Sequence, residues 1–162
     1  VITLRDAHDD DGLDVAALLG AVFSEYDGCL FIAAEMPELR RLATTFREAD
    51  GAFFVAHREV LGVPVLVGCV GYTTHGDTVE LKKLYVAKPE RRTGLGARLV
   101  ATVEEAATAR GASAIDLWSD TRFETAHRFY ERRGYERTGA MRPLHDASAT
   151  EEFYFRKPLT AG

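Results

Sequence analysis

The sequence predicts a single α/β domain, α+β in kind, in which a mixed sheet carries helices on both faces. Three observations lead to it. With 162 residues and 46% hydrophobic content, the chain has the material for one domain, enough to bury about 70% of its unfolded surface. Short apolar runs of two-residue period alternate along the chain with segments of helical spacing. No internal repeat, low-complexity tract or linker interrupts it, so residues 1–162 read as one domain.

In order, Ile2 to Arg5 reads as a first strand. Leu13, Ala16, Ala17, Leu19, Gly20 and Phe23 have helical spacing, and the acids from Asp9 to Asp14 suit the positive N-terminal end of that helix. Pro37 stands where a second helix would begin, running to about Ala49 with Leu39, Leu42, Ala43 and Phe46 on one face. Gly51 opens a strand from Ala52 to His57, and Leu61-Gly62-Val63-Pro64 reads as a hairpin turn into a strand from Val65 to Thr73. His75-Gly76-Asp77 then turns into the strand that begins near Val79. A helix after Gly94 carries Leu95, Leu99, Val100, Val103 and Ala107 inward and stops at Arg110-Gly111. Ala114 to Trp118 is an apolar strand, and the helix behind it is ended by Gly134. Strands near Tyr135 to Arg142 and Glu152 to Lys157 complete the order β-α-α-β-β-β-α-β-α-β-β.

The stretch Val79 to Gly96 carries most of the functional information. Its apolar residues fall at Val79, Leu81, Leu84 and Val86, whereas strict alternation would place them at 79, 81, 83 and 85. The phase slips across Lys82 and Lys83, as a β-bulge requires. Such a bulge leaves backbone groups unpaired where strands part. After the strand comes a glycine-opened helix guarded by arginines. Its first N–H groups lack partners and its dipole is positive there, so the segment suits a phosphate.

Two phosphate loops fail on residues. A P-loop needs Gly-Lys-Ser or Gly-Lys-Thr, but Ala97 and Arg98 follow Gly96. A dinucleotide fold needs a third glycine where Leu99 stands, although Asp116 or Asp120 could pass for its acid.

What remains is Arg91-x-x-Gly94-x-Gly96, which closely resembles the acyl-CoA loop of the GNAT superfamily of N-acetyltransferases. A second block, Asp120 to Tyr135, is similar to that family's signature Asn-x-x-Ala-x-x-(aromatic or Leu)-Tyr-x-x-x-Gly-Phe, with Ala126, Phe129, Tyr130, Gly134 and Tyr135 matching. The family's asparagine position holds Phe123, so that contact does not carry over. The two motifs together span Val79 to Gly139, and the element order is the one GNAT folds display.

The resemblance implies a GNAT fold, acetyl-CoA as acetyl donor and no metal. It implies that Arg91, Arg92, Thr93, Gly94, Leu95, Gly96 and Ala97 hold the coenzyme A pyrophosphate. Leu84, Tyr85 and Val86 would pair with the pantetheine arm in the gap beside the bulge and donate N–H to the thioester oxygen. Glu80, just ahead of the bulge, matches a glutamate that several members use as base, directly or through water. As a plain surface residue it would instead pair with Lys82. Tyr130 matches the tyrosine that points at the cofactor sulfur and can protonate the leaving thiolate, or else it is a core tyrosine. The implied reaction is N-acetyl transfer to a primary amine by direct passage in a ternary complex. Alternatives are a non-catalytic acyl-CoA-binding regulatory module, or an acyltransferase using a longer acyl-CoA.

The acceptor is the least legible part. The resemblance implies that the loop between the first two helices, Ser24 to Glu35, and the last strands contact it, and Glu25, Tyr26 and Asp27 could bind a cation. An amino acid, polyamine, antibiotic or protein amine all remain open, so the partner is a small-molecule or protein amine. Asp116 and Asp120, flanking Trp118, could also reach an ammonium, or Asp120 could cap a helix. His127 suggests a solvated helix face or a cofactor contact. His57, His75 and His145 look isolated, with nothing nearby to suggest metal ligation.

A formal net charge of −5 and a pI near 5.6 argue against nucleic acid as a partner. The local cluster of Arg91, Arg92 and Arg98 inverts that balance where an anionic cofactor would sit. The two cysteines, Cys29 and Cys69, lack metal-ligand spacing, and Cys69 reads as core. No apolar run has the length of a membrane span, so no membrane partner is expected, and a cytoplasmic location is the default expectation. A homodimer, and a short leader ahead of Val1, are left open.

Overall fold

The alternating runs form seven strands among the described residues: β1 (Ile2–Asp6), β2 (Ala52–Val60), β3 (Val63–His75), β4 (Thr78–Val86), β5 (Ala114–Asp120), β6 (Glu136–Pro143) and β7 (Glu151–Pro158). Four helices join them: α1 (Gly12–Phe23), α2 (Leu42–Glu48), α3 (Leu95–Ala109) and α4 (Glu124–Arg132). This computed structural model describes residues 1–160. The strands lie in the order β1-β2-β3-β4-β5-β7-β6, all antiparallel except β4 and β5. The α/β class, the mixed sheet and the element order therefore stand as the sequence predicts.

Strand alternation sends side chains to two faces, and each face builds a core. Val70, Val79, Leu81, Ile115, Leu117 and Phe155 pack with Leu95, Leu99 and Val103 of α3 and with Tyr130 of α4. On the other face Phe53, Val55 and Cys69 pack with Val15, Leu19 and Phe23 of α1 and with Leu42 and Phe46 of α2.

Three boundaries differ from the sequence reading. Pro37 opens a 3₁₀ turn, Pro37–Arg41, and α2 begins only at Leu42, because Arg41 at φ −138 and ψ 60 breaks the helical path. The hairpin turn shrinks to Leu61 and Gly62, both at positive φ, as a two-residue turn matched to strand twist demands. Pro64 consequently lies inside β3, paired with Glu59. It is tolerated because β4 joins β3 only from Gly68, leaving an edge that needs no N–H donor.

Two irregularities of β4 open the sheet. Gly71 faces Lys82 but Cys69 faces Tyr85, so β4 carries one extra residue there, and Lys83 takes φ 53. This is the bulge that the phase slip predicts. Parallel pairing of β4 with β5 is confined, among the described residues, to Thr78–Ala114, Val79–Ile115 and Glu80–Asp116. Beyond that rung the two strands part, and the β5-facing edge of Leu84, Tyr85 and Val86 has no strand partner among those residues.

Candidate active site

At one side of this fork sits the N-terminus of α3. Gly94, its N-cap, has φ 88, a conformation that excludes most side chains, and no atom stands within 4 Å of where a Cβ would be. Arg98 N–H bonds back to Gly94 O at 3.1 Å, so the amides of Leu95, Gly96 and Ala97 precede the helical ladder and lack backbone partners among the described residues. Gly96 differs from Gly94: a Cβ there would touch the Phe129 ring at an ordinary 3.7 Å.

The loop is held from beneath rather than by the groups it presents. Arg58 grips Glu90 at 2.5 and 2.7 Å, and Thr93 donates its hydroxyl to Glu90 O at 2.6 Å. Arg91 donates Nε–H to Val86 O at 3.1 Å and both terminal nitrogens to Glu25 at 2.6 and 2.8 Å. The Arg91 hydrogen bonds hold the Glu25 carboxyl below its usual range. Glu25 thus faces the phosphate loop and ties it to the segment after α1. Arg92 and Arg98 are exposed beside it.

Glu80 lies on the sheet face opposite Val79 and Leu81, half-buried, with Lys82 Nζ 3.9 Å from its carboxylate. Its neighbour across the last rung, Asp116, is buried and doubly engaged. Tyr154 donates its hydroxyl to Oδ2 at 2.6 Å, and His75 Nε2 lies 3.2 Å from Oδ1. Burial, reinforced by Asp116, pushes the Tyr154 phenol up to about 12. His75 is therefore not isolated: its ring nitrogen and the carboxylates of Glu80 and Asp116 all lie within 4.8 Å of one another. Trp118 continues the same face, 4.8 Å from the Tyr154 ring and 4.3 Å beneath the Arg142 guanidinium.

Tyr130 comes from the opposite face. It is 5% exposed, against Phe129, Tyr135 and Phe155, and burial alone pushes its phenol well up. Its hydroxyl makes no hydrogen bond to another described residue. Between the two faces Tyr85 packs edge-on against Phe23 and Phe123, burial raising its phenol too. Tyr26 lies 4.8 Å from the Phe123 ring, so the residue that replaces the signature asparagine joins an aromatic wall. Asp27 is exposed.

The remaining candidates have structural partners. His127 is buried rather than solvated, with Nε2 2.9 Å from Asp120 O and 3.1 Å from Ser119 Oγ, and burial lowers its pKa. Asp120 accepts from Arg122 N–H at 2.9 Å, closing the turn ahead of α4. Cys69 donates its thiol to Lys83 O at 3.2 Å, and burial pushes it up to about 12, so it is an inert part of the bulge. Burial likewise raises Cys29. Lys83 reaches Glu38 at 2.7 Å, and Ser148 bonds Leu30 N–H at 2.8 Å, so both β4 and the β6–β7 loop clasp the segment between α1 and α2.

The comparisons with known proteins say which class of mixed α/β domain this forked sheet and open helix N-terminus belong to. Residues 19–135 match the acetyltransferase (GNAT) family. The chain is 30% identical over 115 residues to an IAA acetyltransferase of Azospirillum brasilense, a match covering 71% of this chain and 72% of that protein. Among solved structures, an acetyltransferase of the GNAT family from Staphylococcus aureus superposes with a TM-score of 0.82 at 17% identity, covering 99% of this chain and 100% of that one. The PaiA N-acetyltransferase of Thermoplasma acidophilum, solved in complex with coenzyme A, gives 0.74 at 15% identity over 98% of this chain and 99% of its own. The chain belongs to the acetyltransferase (GNAT) family.

Proposed function

We propose that this protein is an N-acetyltransferase that passes an acetyl group from acetyl-CoA directly to a primary amine within a ternary complex. One observation carries the reading. Amides at the start of α3 that have no backbone partner among the described residues stand next to a β4 edge that has no strand partner among them, and a carboxylate, Glu80, stands at the vertex of the fork. The amides of Leu95, Gly96 and Ala97, with Gly94 ahead of them, suit a diphosphate, and Arg92 and Arg98 add positive charge. The β4 edge from Leu84 to Val86, where Arg91 takes only the Val86 carbonyl, offers its other backbone groups to an extended amide-bearing arm, as in strand addition. The coenzyme complex of the Thermoplasma relative supports the same ligand here.

In this reading Glu80 takes a proton from the acceptor ammonium, whose ordinary pKa of about 10.4 keeps it protonated at neutral pH. A backbone N–H beside the bulge stabilises the thioester oxygen as it gains charge, a contribution of about 10²–10³ in rate. Tyr130 donates a hydrogen bond to the departing sulfur, its hydroxyl having no partner among the described residues. Glu80 and Asp116 on one face favour a cationic acceptor, and Trp118 with Tyr154 offers its carbon body an aromatic floor.

Calorimetry with coenzyme A and acetyl-CoA, followed by thiol release against a panel of primary amines, tests the proposal. Binding with amine-dependent thiol release supports it. Binding without release for any amine favours a regulatory acyl-CoA module, and faster release from longer acyl-CoA thioesters reassigns the donor.

A further inference from the structure

His75 is the last residue of β3, its side chain 54% exposed, yet its Nε2 reaches inward to a buried carboxylate. Acetylation of an ammonium by a thioester forms a C–N bond, breaks a C–S bond, protonates the sulfur and releases one net proton. Of the two protons the nitrogen gives up, one goes to the sulfur and the other must reach bulk water on every turnover. A half-buried base engaged by a substrate needs an exit for it.

We infer that His75, held in place by Asp116, is that exit: the proton Glu80 takes from the acceptor passes to the His75 ring and from its exposed edge to bulk water. The inference rests on the reading of Glu80 as base. Ligand-type atoms of Glu80, Asp116 and His75 within 4.8 Å of one another leave room for transfer directly or through one water. Asp116 is well placed to hold the imidazolium while it forms. Its second oxygen is occupied by Tyr154 at 2.6 Å, so the carboxylate cannot swing away from the ring. The titratable and charged groups around the cluster are Glu80 and Lys82 on β4, Asp116 on β5, and Glu152, Tyr154 and Arg156 on β7. Asp116 and Tyr154 act here as positioning residues.

Two substitutions separate a proton carrier from a strut. His75→Gln keeps an amide N–H where Nε2 stands and so keeps the tie to Asp116, but it carries no proton; His75→Ala opens space for a small base. The expectation is a fall in kcat by about 10²-fold in both variants, with KM for acetyl-CoA unchanged. Added imidazole should restore turnover in His75→Ala. Where no amine in the panel is turned over, NMR of the His75 ring replaces kinetics: its ring signals should change in Glu80→Gln, which removes the facing carboxylate. Wild-type kcat in His75→Gln, absence of imidazole rescue, or His75 ring signals indifferent to Glu80→Gln would each overturn the exit. Full activity in Glu80→Gln would instead overturn the base assignment, so the two failures are distinguishable.

Discussion

Glu80 on β4 and Asp116 on β5 form the last rung on which the two strands pair, and both project from the same sheet face. The carboxylates therefore stand where the backbone stops bonding to itself and begins to offer groups to a ligand. Asp116 is consumed by Tyr154 and His75, whereas Glu80 has, among the described residues, only Lys82 at 3.9 Å. Identical charges on one rung thus have different work: one anchors the cluster and the other remains available to a substrate.

Replacing Glu80 by Gln removes the base while keeping its shape. Turnover at neutral pH should fall by about 10²–10⁴, and the pH–rate profile should change shape. Acetyl-CoA affinity should hold, because the diphosphate site lies at α3. Steady-state kinetics across a pH series decide the matter: an unaltered profile removes Glu80 from the base role.

Much of this geometry is legible along the chain. The bulge shows in the slipped phase of Val79, Leu81, Leu84 and Val86, and the ends of α3 and α4 show in Gly94, Gly111 and Gly134. All are local signals, set by backbone and side-chain period. The contacts that complete the site are not local. Tyr154 meets Asp116 and Trp118 only through the β5–β7 register, and Glu25 meets Arg91 across the segment after α1. His75 looks solitary until β5 is laid beside β4. His127 misleads for the same reason: helical position does not reveal that Phe153 and Phe155 of β7 cover that side of α4.

Gly94→Val probes the phosphate loop. No atom obstructs the added Cβ, so the cost comes from φ 88 alone, about 1–3 kcal/mol. The fold should survive while calorimetric binding of coenzyme A is lost through the displaced amides. Gly96→Ala is the control, since its Cβ would make only an ordinary contact with Phe129; that variant should bind coenzyme A as the wild type does. Wild-type affinity in Gly94→Val would remove the diphosphate from this loop.

Acid stability should register the pair that anchors β1 to the turn before α1. Arg5 donates both terminal nitrogens to Asp11 at 2.8 Å, and these bonds hold Asp11 at about 2 against its usual 3.8. A depressed carboxylate contributes stability that is complete above pH 3.8 and disappears as the pH falls through about 2. With Arg5 partly exposed, screening leaves about 1–2 kcal/mol. Asp11→Asn should lower the melting temperature at pH 7 and flatten the decline between pH 4 and 2. Parallel melting curves over that interval would show that the pair contributes nothing.

Tyr130→Phe separates packing from chemistry, because the ring is buried among Phe129, Tyr135 and Phe155 while the hydroxyl has no protein partner among the described residues. A core tyrosine with a satisfied hydroxyl would lose about 0.5–1.5 kcal/mol on becoming phenylalanine. Here thermal stability should stay the same, since the substitution breaks no bond to the protein and keeps the ring in place. Turnover should nevertheless fall by about 10-fold or more, the hydroxyl having assisted the sulfur. The loss should shrink with a thioester whose thiol is more acidic and needs less help to leave. Equal losses for both donors would return Tyr130 to the core and leave the sulfur to be protonated by water.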